Sequence, residues 1–463
     1  MQPQRTQTRK ILVTGATGYI GGRLAPRLIK RGHDVRVLVR TPDKLQDAPW
    51  ADDARVIKGD LSDPASLAEA FDGVDVVYHL VHSMGGTKDF GDEERRSAQN
   101  VVAAANNAGV SRIVYLSGLH PSDVELSAHL SSRTEVGEIL MASGIETIVL
   151  QAGVVIGSGS ASFEMIRHLT ERLPVMTTPR WVHNKIQPIA VNDVLHFLIE
   201  AATAAVPKSR TWDIGGPDVL EYGDMMQVYA EVAGLPKRRM LVLPLLTPTL
   251  ASRWVGTVTP IPGGLARPLV ESLEHNAVVS ENDIISVIPP PTEGLTPYRR
   301  SVELALARID RGEVESAWAN ASPDHPPSDP IPTDPGWAGE QVYATHHSGN
   351  STADPATLWK AVEMIGERPE WQVDVCEPEK VLRLRSRQSI PGTKWLEIKV
   401  SSTGSGSRLD LRTAFYPRGV AGRGYWYAMW PGHRKMLDAT ATEIIRRADA
   451  DGKHSPDPGS GTP

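Results

Sequence analysis

The sequence predicts a doubly wound α/β domain built on a parallel sheet, followed by a smaller α+β module. Three observations carry this. Short β-branched runs alternate with helical patterns through the first third of the chain. A glycine triplet stands between the first run and the first helical pattern. A stretch rich in proline and aspartate then separates this region from a C-terminal part of different rhythm. Strand–helix alternation is what a parallel sheet covered on both faces requires.

In order, strands are expected at 10–14, 35–40, 54–57, 74–80, 112–117 and 147–151, and helices at 19–31, 65–71, 93–108 and 133–143. Strands buried on both faces read as continuous apolar runs, as Ile11-Leu12-Val13 nearly does. From about 156 to 310 the pattern loosens. Helices at 163–173, 191–202 and 222–232 alternate with loops, and 211–215 offers a further strand. This stretch is expected to build over the carboxyl edge of the sheet.

The expected boundaries are 9–315 for the first domain, 316–338 for a linker, 339–448 for the second domain and 449–463 for a disordered tail. Between Ser322 and Pro335 stand six prolines and three aspartates, a stiff and solvated composition. The second domain reads as a helix at 355–365, strands at 381–390, 394–401, 408–417 and 424–430, and a final helix at 433–448.

Composition narrows the function. Of 463 residues, 40% are hydrophobic and 22% charged, a globular mix. A net charge of -6 gives no electrostatic footing for nucleic acid. Cys376 is the single cysteine, so no internal disulfide forms. No Cys/His cluster has zinc spacing, and no metal site is expected. The polar segment 1–9 is not expected to act as a secretory signal, and a reducing cytoplasm is the expected location. The most apolar stretch, 241–266, is interrupted by Pro244, Pro248, Arg253, Pro260 and Pro262, and is not read as a membrane span. No sequence feature fixes the oligomeric state.

The glycine triplet carries the chemistry. Gly15, Gly18 and Gly21 lie within Thr14-Gly15-Ala16-Thr17-Gly18-Tyr19-Ile20-Gly21. Gly15 lets the chain turn sharply out of the strand, Gly18 leaves room for a pyrophosphate, and Gly21 permits close helix–strand packing. The first helical amides, with Thr17, Tyr19 and Ile20 beside them, then face the phosphates. This predicts a dinucleotide at a Rossmann-type site. The second strand ends in Arg40-Thr41 rather than in an acid. A guanidinium there favours a 2′-phosphate, so NADP(H) is expected ahead of NAD(H). Asp60 and Leu61 follow the third strand. Asp60 reads equally as a residue flanking the adenine and as a turn residue.

These residues resemble the short-chain dehydrogenase/reductase superfamily, specifically its atypical, extended branch related to NmrA-like proteins. The likeness rests on the glycine motif, Arg40, Gly59-Asp60-Leu61, the run from Tyr78 to Met84, Leu116-Ser117-Gly118-Leu119, the run from Gly157 to Glu164, the run from Ile189 to Val194, and Ile214-Gly215-Gly216-Pro217. It implies that Leu80, Val81 and His82 contact the cofactor. The second domain resembles the START/polyketide-cyclase (SRPBCC) helix-grip fold. The resemblance there is carried by the run from Ile390 to Glu397, Phe415-Tyr416-Pro417-Arg418-Gly419, Gly424-Tyr425-Trp426-Tyr427 and Pro431-Gly432-His433. The segment between Ile365 and Val373 is shorter than that resemblance implies.

Active members of the superfamily use a Tyr-x-x-x-Lys pair with a Ser and often an Asn. One helical turn sets Lys beneath Tyr, and Tyr exchanges a proton with the substrate oxygen as hydride moves. Here His129 stands where Tyr would be and Arg133 where Lys would be. Ser117 and Asn100 match the serine and asparagine. His129 titrates near neutral pH when unperturbed, whereas Arg133 stays protonated as a rigid fork. Two functions follow. One is an NADP(H)-dependent reductase of a hydrophobic carbonyl or quinone-type substrate, with altered proton transfer. The other is a non-catalytic NAD(P)H-binding redox sensor or assembly factor.

Other groups have both functional and structural readings. His79 and His82 lie near the expected nicotinamide and suit cofactor or substrate contact. His346 and His347 are adjacent and would face opposite sides of a strand. The stretch 241–266 either covers a hydrophobic ligand, docks the second domain or simply packs. Trp371, Trp395, Trp426 and Trp430 with Tyr425 and Tyr427 are core aromatics or a cavity lining.

Overall fold

A computed structural model describes residues 8–46, 48–82, 90–121, 124–242, 248–310, 343–404 and 406–452. The chain divides into two compact units. The first reaches Arg308 and the second holds everything described from Tyr343 onward.

The first unit is a seven-stranded sheet. Its strands are β1 (Lys10–Thr14), β2 (Asp34–Val39), β3 (Arg55–Lys58), β4 (Val76–His79), β5 (Arg112–Gly118), β6 (Glu146–Ala152) and the strand Arg210–Ile214. Every pairing is parallel, and the order from one edge is Arg210–Ile214, β6, β5, β4, β1, β2, β3. Strand order therefore runs outward in both directions from the β1–β4 pair. The crevice beyond the carboxyl ends of β1 and β4 is where such sheets bind ligands.

Helices follow most strands: α1 (Gly21–Lys30), α2 (Ala68–Phe71), α3 (Phe90–Ala108), α4 (Ala128–Met141), α5 (Ala161–Arg172), α6 (Val191–Ala201), α7 (Tyr222–Val232), α8 (Pro248–Val258), α9 (Gly263–Glu271) and α10 (Tyr298–Asp310). Side chains alternate across β1, so successive residues take opposite faces of the sheet. Ile11 and Val13 pack with Leu24 and Leu28 of α1 and Leu198 of α6. Leu12 packs on the other face with Val101 of α3 and Val136 and Leu140 of α4. A third core joins α5, α7, α8 and α9 through Phe163, Tyr229, Val255 and Ala266.

Two boundaries depart from expectation for local reasons. The helix expected at 133–143 begins at Ala128, because the Ser127 hydroxyl accepts from Leu130 N at 3.4 Å and caps it earlier. The helix expected at 65–71 is split into a 3-10 turn, Pro64–Ser66, and α2. Asp63 accepts from Ala65 N at 3.1 Å to start the turn.

The second unit is an antiparallel sheet in the order Tyr343–Ser351, Gly406–Pro417, Gly392–Thr403, Val381–Ser386 and Trp371–Glu377. Two helices, α11 (Pro355–Gly366) and α12 (Gly419–Gly452), cover it. Leu358 and Val362 of α11 meet Leu437, Ala441 and Ile444 of α12 over Leu384, Ile398 and Leu411.

The strand expected at 424–430 is a correction: these residues belong to α12. Trp426, Trp430 and His433 recur with helical spacing on one face. Trp426 stacks on Phe415 and on Tyr343, at 5.7 and 5.2 Å between centroids. Burial against the sheet overrides the β-preference of an aromatic run. Nor does the tail begin at 449. The α12 helix continues to Gly452, held by Asp449, whose Oδ1 accepts from Ser351 Oγ and Thr352 N at 2.6 and 2.9 Å. The expected linker 316–338 and residues 453–463 lie outside the described residues.

Candidate functional site

The site is assembled where β1 and β4 end. Gly15 leaves β1 with φ +79°, a conformation that L side chains rarely adopt. A Cβ on Gly15 would lie 2.7 Å from the carbonyl oxygen of Leu80. A Cβ on Gly21 would lie 2.2 Å from Gly15 O, so the first turn of α1 packs directly on the turn out of the strand. Gly18 is different. It is exposed, and its Cβ would meet only Gly15 O, at 3.2 Å. Ile20 caps α1 without a side-chain hydrogen bond, and no acidic residue stands in the first turn. Thr17, Tyr19 and Ile20 are half-buried along this cradle. The arrangement fits a pyrophosphate: backbone can approach it at Gly18, and the positive end of α1 faces it.

A second segment closes on the same turn. Arg23 sits 4.0 Å over the Tyr19 ring, and its guanidinium donates to Tyr19 O at 3.0 Å and Ser158 O at 3.3 Å. Gly157 lies so close that a Cβ there would come within 2.4 Å of Tyr19 Oη. Ser160 N-caps α5 and also donates to Val155 O at 2.6 Å. Glu164 accepts from Gly159 N at 2.9 Å. The glycine- and serine-rich run from Gly157 to Glu164 is thus a tight strap against the glycine turn. Its contact with Arg23 was not readable from spacing, since the partners are 135 residues apart.

Arg40 is exposed just beyond β2. Asp60 accepts from Ser62 N and Oγ at 2.9 and 2.8 Å. The Ser62 backbone hydrogen bond is the largest influence holding the Asp60 carboxyl below its ordinary pKa, with Arg40 a further one. Asp60 is therefore built into a turn. Leu61 is buried, and its carbonyl accepts from Asn100 Nδ2 at 2.8 Å. Asn100 thus ties α3 to the turn after β3.

Beyond β4 lie Leu80, which is buried, and Val81 and His82, which are half-buried. Arg133 Nη2 lies 2.6 Å from His82 Nε2. A guanidinium has no acceptor, so it donates; Nε2 accepts and the imidazole proton resides on Nδ1. Burial, then Arg133, His79 and His129, hold the His82 pKa well below its ordinary value. Ser117 Oγ and Arg133 Nε are both buried, and the Ser117 and Arg133 side chains lie in hydrogen-bonding reach of the Tyr115 hydroxyl. Buried polar atoms need partners, and this cluster can offer donors to a ligand oxygen.

His129 is 7% exposed, and burial followed by the Arg133 charge lowers its pKa to about 4. It is a neutral, enclosed imidazole at neutral pH. His79 is also buried, with a pKa lowered to about 4 by burial.

Several groups were not anticipated. Tyr115 on β5 is buried 5.7 Å from the His79 ring and 6.0 Å from the His82 ring. Its hydroxyl donates to Arg133 O at 3.3 Å, and burial raises its pKa. His120 Nε2 meets Thr134 Oγ1 at 3.0 Å and Gln151 Nε2 at 3.1 Å. Ser132 donates to the buried Glu94 carboxylate, joining α4 to α3. Each is polar and follows an apolar strand or lines a helix, a signal too common to have singled it out.

Elsewhere, His346 is exposed and His347 Nδ1 lies 2.7 Å from Asp438. Among the described residues no group of three His, Cys, Asp or Glu side chains could hold a metal. Nor is any described helix long and apolar enough to cross a membrane.

Comparison with known proteins agrees with the geometry at the glycine turn. A sequence family described as NAD(P)H-binding matches residues 15–155. A second, described as a protein of unknown function, matches residues 371–439. The chain is 34% identical over 122 residues to 3 beta-hydroxysteroid dehydrogenase/Delta 5-->4-isomerase of Mycobacterium tuberculosis. That match covers 24% of this chain, and this chain spans only about a third (32%) of that relative's length. It is 27% identical over 236 residues to (4-alkanoyl-5-oxo-2,5-dihydrofuran-3-yl)methyl phosphate reductase of Streptomyces griseus, covering 49% of this chain and 75% of that one. The solved structure of Citrobacter sp. triphenylmethane reductase complexed with NADP(H) shares the fold. Its TM-score is 0.52 and its identity 20%, over 64% of this chain and 99% of that one. The chain carries an NAD(P)H-binding domain, and its relatives include dehydrogenases and reductases.

Proposed function

We propose that the chain is an NADP(H)-dependent oxidoreductase that reduces a hydrophobic carbonyl or quinone-type substrate without the Tyr-x-x-x-Lys pair. The observation that carries this reading is the contact between Arg133 and His82, with the buried Ser117 and Tyr115 hydroxyls beside it.

In this reading the cradle of Gly15, Thr17, Gly18, Tyr19, Ile20 and Gly21 holds the pyrophosphate, and Arg40 favours a 2′-phosphate. Leu80 and Val81 line the way to the nicotinamide. A bound nicotinamide dinucleotide supplies a hydride. The Ser117 hydroxyl and the His82 Nδ1–H donate hydrogen bonds to the substrate oxygen. Arg133 holds His82 in the donating tautomer, and its charge steadies the oxygen as that oxygen becomes negative. A neutral imidazole of depressed pKa polarises rather than gives up its proton, so the proton is taken at the substrate oxygen from solvent. His129 plays a packing role.

The test is oxidation of NADPH with a panel of quinones and apolar ketones. Turnover that falls by about 100-fold in His82→Ala or Arg133→Leu, with NADPH binding retained, supports the reading. The enclosure of His129, at the position of the family's proton donor, favours the second reading, a non-catalytic NAD(P)H-binding sensor. NADPH bound tightly with no turnover across the panel would replace the first reading by the second.

A further inference from the structure

A cavity of about 100 Å³ lies in the lobe built from α5, α7, α8 and the strand Val175–Thr178. Its wall is largely apolar and includes Leu169, Met176, Met226, Trp254 and Val255. Three other wall residues break the pattern. Thr178 Oγ1, Trp181 Nε1 and Tyr222 Oη are buried and have no hydrogen-bond partner among the described residues. Thr178 is 6% exposed and Tyr222 1%. The Trp181 and Tyr222 rings meet edge to face at 5.8 Å.

Native structures pair nearly all buried polar atoms. Three unpaired ones around one small cavity call for a common explanation. An indole N–H can only donate, and both hydroxyls are able to donate. The group that satisfies all three is an acceptor oxygen. The remaining wall rewards apolar contact. The volume is below the about 150 Å³ of an apolar cavity that takes benzene, so it suits a short chain of a few carbon atoms rather than a substituted ring.

We infer that this cavity binds a compact apolar molecule carrying a carbonyl oxygen, with Trp181, Tyr222 and Thr178 donating to that oxygen. The site is separate from the proposed reduction. None of its wall residues belongs to the glycine cradle or to the Arg133–His82 group, and binding here requires no cofactor.

The experiment is calorimetric titration of the full chain, without cofactor, with butanone and with 2-methyl-1-butene, which has the same outline and no acceptor oxygen. Butanone is expected to bind about tenfold or more tightly than the alkene, because unpaired donors reject the ligand that cannot satisfy them. Thr178→Val and Tyr222→Phe, which keep side-chain volume and remove a donor, should bring the two ligands toward equal affinity. Ala251→Leu, which adds bulk to the wall, should remove both. The inference is overturned if butanone fails to bind, if its affinity survives Ala251→Leu in a folded protein, or if the preference for butanone is unchanged in both volume-conserving variants. Those two variants carry the test however Ala251→Leu folds.

Discussion

Arg133 of α4 and His82, beyond β4, are 51 residues apart in sequence and 2.6 Å apart in space. This contact sets the His82 tautomer, with the proton on Nδ1. A nitrogen-15 spectrum at neutral pH should show a neutral His82 protonated at Nδ1. In Arg133→Leu, one of the influences lowering its pKa is lost, so the pKa should rise while burial keeps it below that of a free imidazole. A His82 that titrates unchanged in the variant would remove Arg133 from the site.

Stability should decline in acid between pH 6.5 and about 4. His79 and His129 have folded-state pKa values lowered to about 4, against an ordinary 6.5 for imidazole. Within that window the unfolded chain binds more protons than the folded one, so stability is full above the window and is lost as pH falls through it. Each histidine contributes roughly 3 kcal/mol to the loss when the folded state has also passed its pKa. Urea melts from pH 7 to pH 4 check this. His129→Gln should flatten the slope, and an unchanged slope would contradict the burial argument.

The three glycines should separate folding from binding. Gly21→Ala drives a Cβ into Gly15 O and should destabilise the protein by about 1–3 kcal/mol. Gly18→Ala meets one atom at 3.2 Å at an exposed position. It should therefore keep most of its stability and lose cofactor affinity. Thermal melts with and without NADPH distinguish the two, since only a bound ligand raises the melting temperature.

Helix α5 buries charge. Glu164 and Arg167 are fully enclosed, with Arg167 Nε 3.3 Å from Glu164 Oε2 and His168 Nε2 3.7 Å away. Glu164 also accepts from Gly159 N and so fixes the strap beside the glycine turn. Glu164→Gln should cost roughly 3 kcal/mol, because it leaves a buried cation short of its counter-charge. A denaturant midpoint within error of the parent would show that the strap does not depend on this carboxylate.

The glycine turn and the strands around it were legible because their causes are local. A β-branched run, a residue needing positive φ at Gly15 and a helix start follow one another within a dozen positions. The Arg210–Ile214 strand was visible for the same reason. The aromatic run of α12 was misread because Tyr425, Trp426 and Tyr427 favour strands locally, whereas Trp426 stacks on Tyr343, far away in sequence, as well as on Phe415 of the preceding strand. The site shows the same limit. His129 and Arg133 could be placed by their helix spacing. The enclosure of His129, and the pairing of Arg133 with His82 rather than with a tyrosine one turn away, depend on contacts between distant segments.

In the proposed reading a dinucleotide carrying a 2′-phosphate sits between the glycine turn and Arg40. Calorimetric titration of NADPH and NADH against the parent chain and Arg40→Ala is the most direct test. The parent is expected to prefer NADPH, and Arg40→Ala to reduce this preference about tenfold with NADH affinity little changed. An unchanged ratio of the two affinities in Arg40→Ala, or a parent that prefers NADH, would contradict that reading.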